Sequence, residues 1–185
     1  MADVAGKSVP AALLMATFQA SLHTLASAAK GLPDLVEGLN GYACAHSLEG
    51  LRFTTAFLAD LEPAARDLTY VNAGHNPPIL RRASGQIERL EAGGLPLGIA
   101  RGARHDYGNT TLNSGDLLVI YTDGVVEAEN ATGEQYGDPR LLQLLSSPPG
   151  GSARDDLSRL MASMDAFVGA ARQHDDITCV VLRCV

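Results

Sequence analysis

The sequence predicts an α+β domain, on three observations. Helical pattern opens the chain, a block of short β-rich runs fills its middle, and helical pattern returns before one last strand. The β-rich runs follow one another without helices between them, which favours antiparallel meanders. With 185 residues the chain can bury a real core but holds too little for two comfortable domains. Residues 1–185 are therefore expected to form a single domain.

Each element has its own warrant. Val9 to Lys30 reads as a helix: Ser8 can cap it, Pro10 is tolerated in its first turn, and Gly31 ends it. Pro33 to His46 reads as a second helix, weakened by Gly38 and Gly41. From Leu51 the texture changes. RFTTAFLADLE, LTYVNAG, PPILRR, QIERLEA, RHDYGNTTL and LLVIYTD are strand-like runs parted by Gly, Pro, Asn and Asp turns. PRLLQLLSS and SARDDLSRLMASMDAFVGAA are helical, and ITCVVLRCV closes the chain as a strand.

Composition narrows the function. Apolar residues make up 46% and charged residues 19%, as in an ordinary soluble globular protein. A net charge of −7 argues against nucleic acid as a partner, because phosphate backbones need a basic face. Cys44, Cys179 and Cys184 show no CxxC or Cys/His clustering, so reduced thiols in a cytoplasmic protein are expected. The apolar stretch from Ser8 to Ala29 contains Pro10, Gln19, Ser21, His23 and Ser27. It reads as a buried or amphipathic helix rather than a membrane span or signal peptide.

Three acidic sites stand out by position. Asp3 precedes a Gly-containing turn and a helix, Asp123 ends the run LLVIYTD, and Asp175 with Asp176 precedes ITCVVL. Carboxylates gathered on one rim of a core repel each other unless a cation lies between them. Hard divalent ions such as Mg²⁺ or Mn²⁺ take oxygen ligands of this kind. Each Asp alone has a plainer reading: a solvated terminus, a turn residue before Gly124, and a loop or cap residue.

Other motifs carry less. GKS at Gly6–Ser8 lacks the upstream strand and the earlier glycine of a phosphate loop. His75, in NAGHNPP, reads either as a general acid or as a turn residue. His174 is a partner for Asp175 or a solvated loop histidine, and Lys7 a phosphate contact or a solvated turn lysine. Arg81, Arg82 and Arg89 form either a basic patch or ordinary exposed hairpin charge. Glu127 and Glu129 are read as shaping the loop after Asp123 rather than binding metal.

Read together, ADVAGKSVPAALLMA, TYVNAGHNPPIL, GGLPLGI, GDLLVIYTDGVVEAEN and DDITCVVLR resemble the SpoIIE/RsbU-type branch of the PPM (PP2C-like) metal-dependent serine/threonine phosphatases. The motifs run in order from Ala2 to about Arg183. The resemblance implies a sandwich of two antiparallel sheets flanked by helices, with metals at one end. It implies that Asp3 bridges two Mn²⁺ or Mg²⁺ ions and that the Val4 carbonyl serves as a second ligand of one. Asp123 and Asp175 then ligate the other ion, and Asp176 orients Asp175 or a water. It also implies metal-activated water as the nucleophile and, as substrate, a phosphorylated STAS-type anti-anti-sigma protein. Relatives carry a preceding segment with a further acidic residue in a GGDxxD-like stretch. Without it the chain is expected to be N-terminally truncated, to bind one or two ions, and to expose a sheet edge open to a homodimer. A non-enzymatic reading stands beside this one: a phosphatase fold that binds a signalling partner without turnover.

Overall fold

A computed structural model describes residues 1–6, 9–46, 52–173 and 175–185. Ser8, Lys7 and His174, and the roles weighed for them, lie outside the described residues. The fold is α+β, as expected, with each sheet held in its own compact unit. One unit comprises Met1–Pro77 and Leu90–Thr111, the other Pro78–Arg89 and Leu112–Val185.

In the first unit the sheet runs β1 (Ala2–Val4), β2 (Thr54–Glu62), β3 (Asp67–Ala73) and β6 (Gly93–Gly94), with β7 (Gly108–Thr111) also paired to β3. All pairings are antiparallel except the two-residue β3–β6 contact, which is parallel. Period-two alternation sets the faces. Ala56 and Leu58 on β2, with Val71 and Ala73 on β3, pack against Phe18 of α1 (Val9–Ala26) and Leu32, Val36 and Leu39 of α2 (Leu32–His46). The intervening β2 positions, Thr55 and Phe57, belong to the other face. The GGLPLGI motif serves this packing. Buried Asn40 of α2 receives the Gly98 N–H at 3.0 Å and donates to the Ala100 carbonyl at 3.0 Å.

Helix α1 ends at Ala26, four residues before the expected Lys30. By length and composition alone it could cross a membrane. Its polar residues suit an apolar helix, because Thr17, Ser21 and Thr24 donate back to carbonyls three or four residues earlier. Pro33 lies in the first turn of α2, where it is tolerated, and Asp34 reaches back to the Lys30 N–H at 2.9 Å.

In the second unit the sheet order is β5 (Ile87–Arg89), β4 (Ile79–Arg81), β8 (Leu117–Tyr121) and β9 (Cys179–Arg183), all antiparallel. Ile79, Leu117, Val119 and Tyr121 pack against Leu141 and Leu145 of α4 (Gly137–Ser146) and Leu160 and Met164 of α5 (Ala153–Val168). Ser152 caps α5, accepting the Asp155 N–H at 3.2 Å.

The arginines of the β4–β5 hairpin are neither a patch nor free surface charge. Arg81 is buried, and Arg89 pairs with Asp138 at 3.0 Å. Arg82 grips both Glu88 oxygens at 2.8 Å and reaches Asp116 at 2.9 Å. Asp116 also accepts the N–H groups of Ala83 and Asn113, each at 2.9 Å. Burial alone would push the Asp116 carboxyl up, but these N–H groups and Arg82 outweigh it and hold it below the usual range.

A carboxyl depressed in the folded state stabilises fully above its unfolded pKa, and that contribution is lost as pH falls through the folded value. Acid unfolding should therefore steepen below about pH 4. Asp116→Ala should cost about 3 kcal/mol at pH 7 in urea unfolding, because it removes one acidic partner of half-buried Arg82 and leaves two N–H donors unpaired. The difference from the parent should shrink on acidification.

Candidate functional site

Two stretches distant in sequence meet in the second unit. Strand β8 ends at Tyr121, not at Asp123. Asp123 instead opens a single-turn helix, α3 (Asp123–Val126). Strand β9 begins at Cys179, so Asp175 and Asp176 lie in the irregular segment before it rather than directly against it.

Thr122 joins the two stretches. Its N–H donates to the Thr178 carbonyl at 3.0 Å, and its Oγ1 accepts the Thr178 N–H at 3.0 Å. The hydroxyl also lies 3.4 Å from the Asp176 carbonyl oxygen. These bonds extend the β8–β9 ladder by one residue pair past its last paired strand position, Tyr121↔Cys179. Gly124 completes the junction. A Cβ there would stand 2.3 Å from the Asp176 carbonyl oxygen, so no other residue lets the chains pass this closely. Sequence reasoning singled out the acids and missed Thr122. The signal was its place between an apolar strand and Asp-Gly.

The acids at this junction are held differently from the acids nearby. Asp116, Asp138 and Asp156 each pair with arginine. Asp123 is half-buried and accepts only the N–H of Gly124, at 2.9 Å. Asp175 and Asp176 are exposed, and the Asp175 carboxylate accepts the Asp176 N–H at 3.0 Å. Among the described residues no arginine or lysine pairs with Asp123 or Asp176. Asp123 and Asp176 lie on adjoining stretches of chain, and carboxylates without a cationic side-chain partner suit an external cation. The donors are all oxygen, as hard divalent ions require. Among the described residues, however, no three His, Cys, Asp or Glu side chains form a ready-made cation cage.

Asp3 belongs to the first unit. It sits on β1, directly opposite Thr55 of β2, and its side chain is exposed. Val4 is buried at the end of the strand, and the Ala5 N–H continues the ladder to the Phe53 carbonyl at 2.9 Å. Three residues with one polar position give no readable alternation, so the sequence did not disclose β1 as a strand. It occupies one edge of its sheet.

His75 fits the turn reading. It is 5% exposed, its N–H donates to Asn72 Oδ1 at 2.7 Å, and its Nδ1 lies 3.1 Å from Thr55 Oγ1. Glu127 is exposed, and the Glu129 backbone bridges to Gln135 around a turn organised by Asn130.

Residues 1–185 match the family model described as Stage II sporulation protein E (SpoIIE). The chain is 29% identical over 184 residues to the phosphoserine phosphatase RsbU of Bacillus subtilis (strain 168), covering 99% of this chain and 54% of that protein. It thus spans about half the length of that relative. Among solved structures it resembles the SiaA-PP2C domain of Pseudomonas aeruginosa, with a TM-score of 0.86 at 18% identity, covering 98% of this chain and 73% of that one. It also resembles RsbX in complex with magnesium, with a TM-score of 0.70 at 20% identity, covering 97% and 77%. With its whole length matched and its backbone superposing on PP2C domains, the chain belongs to the SpoIIE family and has the PP2C-type fold.

Proposed function

We propose that the chain is a protein serine/threonine phosphatase that hydrolyses phosphoserine or phosphothreonine on a regulatory protein. The observation that carries this reading is the Thr122 junction, which sets Asp123 beside the Asp175–Asp176 segment, with no arginine or lysine paired to Asp123 or Asp176 among the described residues. In this reading Asp123 and Asp175 are Mg²⁺ or Mn²⁺ ligands in the second unit, with Asp176 orienting Asp175, and Asp3 and the Val4 carbonyl are ligands in the first; one or two ions are bound in all. When bound, such ions supply a nucleophilic water near neutral pH and positive charge against the phosphoryl oxygens.

The chain's own groups fit that chemistry. Burial pushes the Cys179 thiol up to about 11, so it stays protonated at neutral pH and is a poor nucleophile. Buried His75, with Nδ1 engaged by Thr55, holds its turn rather than serving the leaving alkoxide. The Asp123 backbone is fixed by a strand end and a helical turn, so its carboxylate is presented with little freedom to lose on binding.

The substrate in this reading is a phosphorylated STAS-type anti-anti-sigma protein in the cytoplasm, in keeping with a relative named as a phosphoserine phosphatase. A second reading is a phosphatase fold that binds its partner without turnover. It is favoured by the lack of a ready-made cation cage among the described residues.

Asp123→Asn and Asp175→Asn should each lower manganese-dependent hydrolysis of p-nitrophenyl phosphate at least about a hundredfold while leaving Tm nearly unchanged. Parent-like rates in both variants would remove these ligands from the reading. Calorimetric titration with Mn²⁺ should show saturable binding to one or two sites, and a flat titration would favour the non-catalytic module. Thr122→Val keeps the shape but strands the Thr178 N–H. It should cost about 1–3 kcal/mol and reduce turnover, whereas Thr122→Ser should retain both.

A further inference from the structure

The NAGHNPP motif is not used by the reaction, yet its polar groups are among the most buried in the first unit. Asn72 is 4% exposed and His75 5%. Asn72 Oδ1 accepts the His75 N–H at 2.7 Å, and its Nδ2 donates to the Leu90 carbonyl at 3.3 Å. Gly74 turns the chain with φ +69°, and a Cβ there would strike Pro96 at 2.4 Å. Gly74 also bridges to Ala56 of β2. The turn is therefore fixed on both sides, and it brings the imidazole to Thr55, with Nδ1 3.1 Å from Thr55 Oγ1.

Thr55 is the cross-strand partner of Asp3. Directly opposed residues of an antiparallel pair share a face, with Cβ atoms about 5 Å apart. Ala56, the next residue of β2, packs in the helix-side core, so Thr55 and Asp3 lie on the other face. β1 is three residues long and paired only to β2 within its sheet. β2 therefore sets the backbone of Asp3, and Thr55 is the side chain directly across from it.

We propose that Thr55, held by His75, is a positioning residue that orients the Asp3 carboxylate for divalent-cation binding. Nδ1–H donates to Thr55 Oγ1, and the threonine hydroxyl hydrogen turns toward the carboxylate. Asn72 and Gly74 hold the imidazole in place, which gives the buried NAGH turn its role. The proposal rests on the phosphatase reading, in which Asp3 is a cation ligand.

The test is Mn²⁺ affinity of the full chain, read by electron paramagnetic resonance of the free ion and by calorimetry. Thr55→Val and His75→Gln should weaken binding about tenfold, as loss of a group that orients a metal ligand does. They should raise the Mn²⁺ needed for half-maximal p-nitrophenyl phosphate hydrolysis by a similar factor, with kcat at saturating Mn²⁺ little changed. Thr55→Ser, which keeps the hydroxyl, should bind like the parent. Thr55→Val is close in shape to the parent and keeps the test sound if His75→Gln fails to fold. Equal Mn²⁺ affinity in parent, Thr55→Val and Thr55→Ser would overturn this proposal while leaving the phosphatase reading standing. A parent that binds no Mn²⁺ would overturn both.

Discussion

One side chain holds the candidate site of the second unit together: Thr122, which is 8% exposed. Its backbone and hydroxyl exchange bonds with Thr178 at 3.0 Å each, fastening the end of β8 to the approach of β9. An ion pair could have fastened the same two segments, but it would have consumed a carboxylate. A neutral hydroxyl satisfies a buried N–H, and among the described residues Asp123 and Asp176 pair with no arginine or lysine. Gly124 has a parallel role. Its missing side chain lets the Asp176 carbonyl approach, so close packing comes from an absent group rather than an added charge.

The same economy separates acids that build from acids that wait. Asp116 and Asp156 are buried and surrounded by arginine and backbone N–H groups. Arg183 donates to the Gly150 carbonyl and lies 3.5 Å from Asp156, so the loop entering α5 is tied to β9. These networks lie within the second unit, away from the Thr122 junction along the chain. A protein carrying −7 net charge has acids to spare, and Arg82, Arg159 and Arg183 are committed to the structural ones. Asp123 and Asp176 then carry a local negative potential that favours a bound cation.

Much of the fold could be read from the sequence because its strong elements are long and regularly patterned. β2, β3, β8, α2 and α5 fall where alternation or helical period, cap residues and turn glycines placed them. The failures have physical causes. β1 and β6 span three and two residues, too short for a period, and β6 is Gly-Gly, with no side chain to display one. The hairpin arginines looked exposed because sequence does not show that Glu88 and Asp116 lie beside Arg82, the latter 34 residues away. Of the candidate site, Asp123, Asp175 and Asp176 stood out because they border apolar runs, Asp123 next to Gly124. Thr122 and Thr55 were not, since a threonine in a β-rich run reads as ordinary strand composition until its partner is known.

Threonine serves both units in the same way, and this bears on how a cation site can coexist with a stable fold. Gathering unpaired carboxylates costs Coulomb energy in the metal-free chain. Had those carboxylates also carried the tertiary bonds, stability and cation affinity would compete for the same oxygens. Here the tertiary bonds run through hydroxyls and main-chain groups: Thr122 to Thr178 in one unit, and Thr55 to His75 in the other. The tertiary bonds then do not depend on the carboxylates of Asp123 and Asp176, whose loss should change binding far more than folding.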